Sequence, residues 1–185
     1  GRYRFTHGLI RETLYDDLSL ARRVRLHRQI GEVLESVYRV TLETHLAELA
    51  YHFFQAAQGG DVNKAINYAT GAGHHASARL AYEEAASHYE RALEVSELTE
   101  PDEHRRCELL LALGDAFWKA GDRLRARDTF QHAAEVARKL GAPAQLARAA
   151  VGFAGEPDTG RFDESSARLL EEALTELEEH DSAVR

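Results

Sequence analysis

Residues 107–141, CELLLALGDAFWKAGDRLRARDTFQHAAEVARKLG, decide the fold. Leu110, Leu113 and Phe117 recur at i, i+3 and i+7, so they share one stripe of a helix with 3.6 residues per turn. Gly121 ends that helix, because a left-handed residue after the last turn is cheapest without a Cβ. Asp122 follows as an acceptor for the free amides of the next helix. That second helix carries Ala126, Phe130 and Ala133 on its own packing stripe. Small residues at Gly114 and Ala126 let the two backbones approach closely. The stretch reads as two antiparallel helices joined by a tight turn.

A second copy lies 41 residues upstream in INYATGAGHHASARLAYEEAASHYERALEVSE, with Ala72-Gly73 in the place of Leu113-Gly114. There Ala85, Tyr89 and Ala92 fill the slots of Ala126, Phe130 and Ala133. The polar connector ELTEPDEH accounts for the long offset. A third, looser copy starts at Val151-Gly152; EPDTGRFDES breaks its spacing before SARLLEEALTELEEH resumes as an amphipathic helix. Upstream, ETHLAELAYHFFQAAQ before GGD reads as a helix with a glycine stop, packing on a helix that starts near Val62. This order of Leu-Gly, aromatic, Ala and aromatic slots resembles the tetratricopeptide repeat. The resemblance implies an all-α fold of antiparallel helical hairpins stacked as a right-handed solenoid, an interaction module without a catalytic site.

The first forty residues differ. RYRF (residues 2–5) alternates as a short β-strand without partners, and HGLIRETLYDDLS reads as a helix ending at Leu18, with Ser19 capping the next. That next helix, LARRVRLHRQIGEVLESVY, is expected to bury Val24, Ile30, Val33 and Leu34 and to expose its arginines. The expected organisation is a junction segment over 1–40 and a repeat domain over 41–185.

Composition narrows the function. Alanine, leucine, glutamate and arginine dominate the 185 residues, which suits helices. The single Cys107 excludes an internal disulfide and a cysteine-based zinc cluster, and suits a reducing cytoplasm. No stretch approaches the roughly 18 apolar residues that span a bilayer, so no membrane partner is expected. The start, GRYRFTHGLIRE, has no apolar signal core, and the chain contains no Met, as a piece of a longer protein would. The net charge is −8, yet residues 1–40 carry eight arginines against five acidic groups, a net of +3. An acidic body disfavours direct nucleic-acid binding, which depends on neutralising phosphates. The arginines 22, 23, 25 and 28 are either a docking face for an acidic neighbour or a solvated helix face.

The stretch YRFTHGLIRETLYDDLSLARRVRLHRQIGEVLE resembles the junction of bacterial STAND-type signal-transduction ATPases, through Phe5, His7, Ile10, Arg11, Tyr15, Leu18, Arg23, His27, Ile30 and Leu34. LAELAYHFFQAA, DVNKAINYATGAG and AYEEAASHYERALEV are similar to that family's repeat region. The resemblance implies a winged-helix segment and a P-loop ATPase before this region, and a LuxR-type or nucleotide-cyclase module elsewhere in a parent regulator. No G-x-x-x-x-G-K-[ST] occurs in the chain, so no phosphate-cradling loop is assigned to it. A free-standing adaptor of the same fold is the alternative. A P-loop roughly 200–400 residues upstream in the reading frame, on a scale of 100–200 residues per domain, would distinguish the regulator.

Candidate chemistry is thin. Among ten histidines, His45 and His52 are seven apart, His74 and His75 adjacent, and His45-x-x-Glu48 has helical ligand spacing. No HExxH is present, and no metal, cofactor or catalytic residue is assigned. The pairs Asp16-Asp17, Glu83-Glu84, Glu171-Glu172 and Glu178-Glu179 point about 100° apart on helices and face water rather than a shared site. Cys107 lacks a base partner, although Arg105 and Arg106 beside it would favour a thiolate. A groove remains. Opposite the packing slots, the first helix of one hairpin presents Asn67, Thr70, His74 and Ser77. The next presents Glu108, Leu111, Asp115, Trp118 and Lys119. Such stripes line the concave side of a hairpin stack, where the expected occupant is a protein or peptide partner or another domain of the parent. Trp118, the only tryptophan, is either an anchor for that partner or a cover over the Gly121 turn that packs on the adjoining hairpin.

Overall fold

The structure, a computed structural model, describes residues 8–155 and 164–184. Among the described residues the chain runs through α1 (Gly8–Asp16), α2 (Leu20–Val37), α3 (Leu46–Ala56), α4 (Val62–Ala78), α5 (Tyr82–Ser96), α6 (Glu103–Ala120), α7 (Arg123–Leu140), α8 (Pro143–Ala154) and α9 (Glu164–Val184). Short 3₁₀ turns, Leu42–His45 and Ala57–Gly59, flank α3. The expected strand at 2–5 and the break at EPDTGRFDES fall on residues outside those described, the latter save for its last two, Glu164 and Ser165.

The turns follow from local chemistry. Asp102 and Asp122 accept hydrogen bonds from the amides of Arg105 and Arg125, at 3.0 and 3.1 Å. Gly121 adopts φ 87°, the left-handed conformation that closes α6 onto α7. The equivalent position between α4 and α5, 41 residues earlier, is Leu80, which takes φ 63° with its side chain 71% exposed. Ser19 stands at the N-cap of α2 without a side-chain cap bond; its carbonyl accepts from the amides of Arg22 and Arg23.

Hairpins α2–α3, α4–α5, α6–α7 and α8–α9 stack in order, and α3, α5 and α7 each pack on the first helix of the next pair. The interfaces are dense in alanine, with Ala65, Ala69, Ala85, Ala92, Ala126 and Ala133 almost fully covered. Short side chains bring the helices close enough for an aromatic ring to fill the gap opposite a glycine. A Cβ at Gly114 would lie 2.8 Å from the Phe130 ring, and one at Gly73 would lie 2.5 Å from the Tyr89 ring. Gly31 meets Phe53 in the same way. Gly152 of α8 faces Phe130 from the other side, so this ring is held between two glycine backbones on different hairpins.

The expected inner face of α2 is corrected. His27 and Gly31 are its buried residues. Val24 and Leu34 are half-buried, whereas Ile30 and Val33 are 42% and 60% exposed. Gly31 packs closely on Phe53, and the side of the helix that carries Ile30 and Val33 faces outward. Nor are all the arginines solvated. Arg28 pairs with Asp61 and the Gly59 carbonyl, and Arg23 sits over the Tyr15 ring, 5.3 Å from its centroid. The expected boundary near residue 40 falls in the connector between α2 and α3, two helices that pack on one another.

Candidate functional site

The first helices of the hairpins, α4, α6 and α8, are laced together by polar side chains. Arg105 of α6 donates to the amide oxygens of Asn67 and Asn63 on α4, at 2.5 and 3.4 Å. Glu108 of α6 accepts from Arg148 at 2.7 Å and from Gln145 at 3.2 Å, both on α8. Asn67 and Glu108, two of the expected groove residues, are thus each engaged with a neighbouring helix.

The other expected positions divide. Thr70 is half-buried and donates back to the Ile66 carbonyl at 2.7 Å. His74 is hydrogen-bonded through Nδ1 to the Tyr89 hydroxyl at 2.9 Å, and half-buried Ser77 bonds the same tyrosine. Both reach toward α5 rather than across the groove. Leu111 is corrected outright. It is 1% exposed and part of the core cluster, so it belongs to the core. A stripe that is outward in one isolated hairpin becomes inward once the next hairpin docks. Lys119 points to the α5 side, its ammonium 5.8 Å from the Tyr82 ring centroid.

Asp115 and Trp118 meet α8. With Phe130, Ala147, Arg148, Val151, Gly152 and Gly155 they line a cleft of about 670 Å³. The indole tip rests on Gly155, where no Cβ could fit, and the Arg123 guanidinium stacks 3.5 Å from the ring centroid. Trp118 thus covers the turn after α6 and packs on the adjoining hairpin, while one edge still borders the cleft. Burial raises the Asp115 carboxyl above its ordinary range, opposed by Lys119 and Arg148. Val151, expected in a packing slot, is 64% exposed and faces this space. Arg148 and Val151 were not foreseen; the readable signal was their place on α8 just before the glycine that meets Phe130.

No three His, Cys, Asp or Glu side chains converge as a metal site among the described residues. His45 stacks on Tyr38 with ring centroids 3.4 Å apart, and reaches Glu48 at 3.5 Å. Cys107 is fully buried and its thiol is pushed up to about 11, mainly by burial and next by Glu108; the neighbouring arginines do not activate it. Its Sγ lies 3.7 Å from the Ala133 carbonyl, a packing contact.

His52 bonds His27 instead, Nδ1 to Nδ1 at 2.9 Å, and the Tyr15 hydroxyl meets His27 Nε2 at 2.9 Å. One imidazole must donate and the other accept, so the pair cannot be doubly protonated without losing its bond. Burial lowers both pKa values; the His52 charge and then Arg23 further lower His27, while Glu48 partly raises His52. Folded values below the ordinary 6.5 mean that the unfolded chain binds more protons once the pH drops under about 6.5. Stability is therefore full above that pH and is lost as pH falls through the depressed folded values. Urea midpoints should fall from pH 7.5 to pH 5, and His27→Gln with His52→Gln should flatten that trend. A midpoint that rises on acidification contradicts the assignment.

Two comparisons bear on the site. The tetratricopeptide repeat family model matches residues 65–139, from within α4 to the end of α7. Repeats of this family generally mediate protein–protein interaction, and no helix among the described residues is long and apolar enough to cross a membrane. No curated protein matches the chain.

Proposed function

We propose that the chain is a docking module which holds a peptide segment of a partner protein in the cleft between α6 and α8. The cleft itself carries the reading: an indole edge and an exposed valine line it together with an acidic and a basic group, Asp115 and Arg148. Apolar contact area fixes affinity in such a site, while the charges fix the orientation of the guest. Nothing in it is arranged for a reaction, and no catalytic residue is proposed for this chain.

A peptide library displayed on phage and selected on the purified chain tests the reading. Val151→Glu should weaken the selected peptides by at least thirty-fold, the factor that matches the ~2 kcal/mol hot-spot threshold. Because Val151 is 64% exposed, the same variant should keep its melting midpoint within about 0.5 kcal/mol of the parent's stability. A library that yields no binder, or binders indifferent to Val151→Glu, sinks the proposal.

At the level of the parent protein, we read the module as the cytoplasmic sensor region of a STAND-type regulator, with partner segments coming from another protein or from the regulator's own domains. The junction-like residues Tyr15, His27 and Leu34 support it, since Tyr15 and His27 join α1 to α2 by a hydrogen bond. A free-standing adaptor would keep the same cleft, and the upstream reading frame separates the two.

A further inference from the structure

The cleft between α6 and α8 constrains the shape of its guest. Its walls are two helices, with Phe130 of α7 between them. Asp115 and Trp118 line it from α6, three residues apart. Opposite, Ala147 and Val151 of α8 and Gly155 just past its end follow at spacings of four, with Arg148 and Gly152 beside them, also four apart. Such spacings give each wall a ridge of helical pitch, which seats in the grooves of a further helix. Ala147, Gly152 and Gly155 are small, so a guest backbone can approach α8 closely. From Ala147 to Gly155 the cleft runs about 12 Å at 1.5 Å per residue, roughly two helical turns.

Hydrogen bonding separates a helical guest from an extended one. Along both walls the backbone is spent on intrahelical bonds, so side chains alone can answer the backbone of a guest. The polar ones are few: Asp115, Arg148 and the indole N–H of Trp118. Arg148 is already committed to Glu108 at 2.7 Å. An extended segment would leave most of the N–H and C=O groups that it turns to the walls unanswered, which is costly where water is displaced. A helix brings its own bonds, except at its ends.

At one end the cleft supplies what such a helix lacks. Among the described residues the Asp115 carboxylate accepts no hydrogen bond and makes no ion pair. The two cations that act on it, Lys119 and Arg148, are directed to the Tyr82 ring and to Glu108. An unpaired carboxylate is complementary to the free N–H groups and the positive dipole end at a helix N-terminus.

We propose that the guest is a two-turn stretch of amphipathic α-helix, its apolar side chains spaced three and four apart in the cleft and its first turn at Asp115. The proposal rests on the docking reading of this cleft, and narrows the partner to segments that are helical or become so on binding.

Peptides selected on the purified chain from a displayed library test it. Their apolar residues should repeat three and four apart, and the ¹³Cα shifts of an isotopically enriched peptide should move to helical values when the chain is added. Proline at an outward-facing position in the middle of the segment should weaken binding about a hundred-fold, because it breaks a helix that an extended chain does not need. Asp115→Lys should weaken the same peptides about ten-fold or more, and Asp115→Asn, which keeps an acceptor for the first turn, should cost less. Asp115 is exposed, and unchanged melting curves show that both variants keep the fold. Binders whose apolar residues alternate, that keep extended shifts in the complex or that tolerate the proline overturn the helical guest and leave the docking reading standing. Peptides that bind Asp115→Lys like the parent overturn the placement of the first turn. A library without binders removes the docking reading and this proposal together.

Discussion

Phe130→Ala is expected to lower the folding free energy by about 3–5 kcal/mol, the range for removing a buried aromatic side chain. The ring is 2% exposed and lies between the backbones of α6 and α8 at Gly114 and Gly152. How far a site collapses after truncation sets the cost. Two of the ring's contacts are helix backbone at glycines, which have no side chain to swing inward, so the space there is hard to refill. Phe130→Leu keeps part of the volume and should cost less. Denaturant unfolding at neutral pH measures both, and a loss under about 1 kcal/mol for the alanine variant, below the cavity range, would show that the two helices close over the gap.

Gly114→Leu should be nearly as damaging by the opposite route. The first atom added, Cβ, already falls 2.8–2.9 Å from three Phe130 ring atoms. A ring in contact on one side only could back away, but Gly152 blocks that movement. Overpacking costs about 1–3 kcal/mol and occasionally more, and this position belongs at the upper end because the first added atom already overlaps the ring. The same melts decide the point. A change below about 0.5 kcal/mol, the scale of a neutral surface substitution, would mean that Gly114 does not face the ring.

The middle of the array was legible in the sequence because its packing slots are chemically distinctive. Gly73 with Tyr89 and Gly114 with Phe130 repeat at one offset, and Gly121 with Asp122 marks a turn by its own conformational needs. The inner face of α2 was not legible, because apolar periodicity assumes that what packs is apolar. Its buried residues are a glycine pressed on Phe53 and a histidine whose two nitrogens are both hydrogen-bonded. The groove was only partly legible. Position on one helix gives a direction for Leu111 or Trp118, while what meets it depends on the neighbouring helices, set by packing between hairpins. The cleft needs Arg148 and Val151 from a helix whose repeat spacing is irregular, so no count along α6 could have supplied them.

Leu80 has a kinetic consequence. At the turn where the following hairpin has Gly121, a leucine is held at φ 63° with its side chain mostly in water. A left-handed conformation costs a residue with a Cβ about 1–2 kcal/mol, and an exposed side chain recovers none of it by burial. The turn of α6–α7 can form from local forces alone, whereas that of α4–α5 closes only when its helices already hold it shut. Repeat arrays can nucleate at any unit and grow by adding neighbours, so the unit with the less strained turn has the advantage. The expected order of assembly follows from one turn position: α6–α7 first, with α4–α5 condensing onto it. Substitutions at Ala126 should slow folding while those at Ala85 mainly speed unfolding; the reverse pattern would place the nucleus on the strained hairpin.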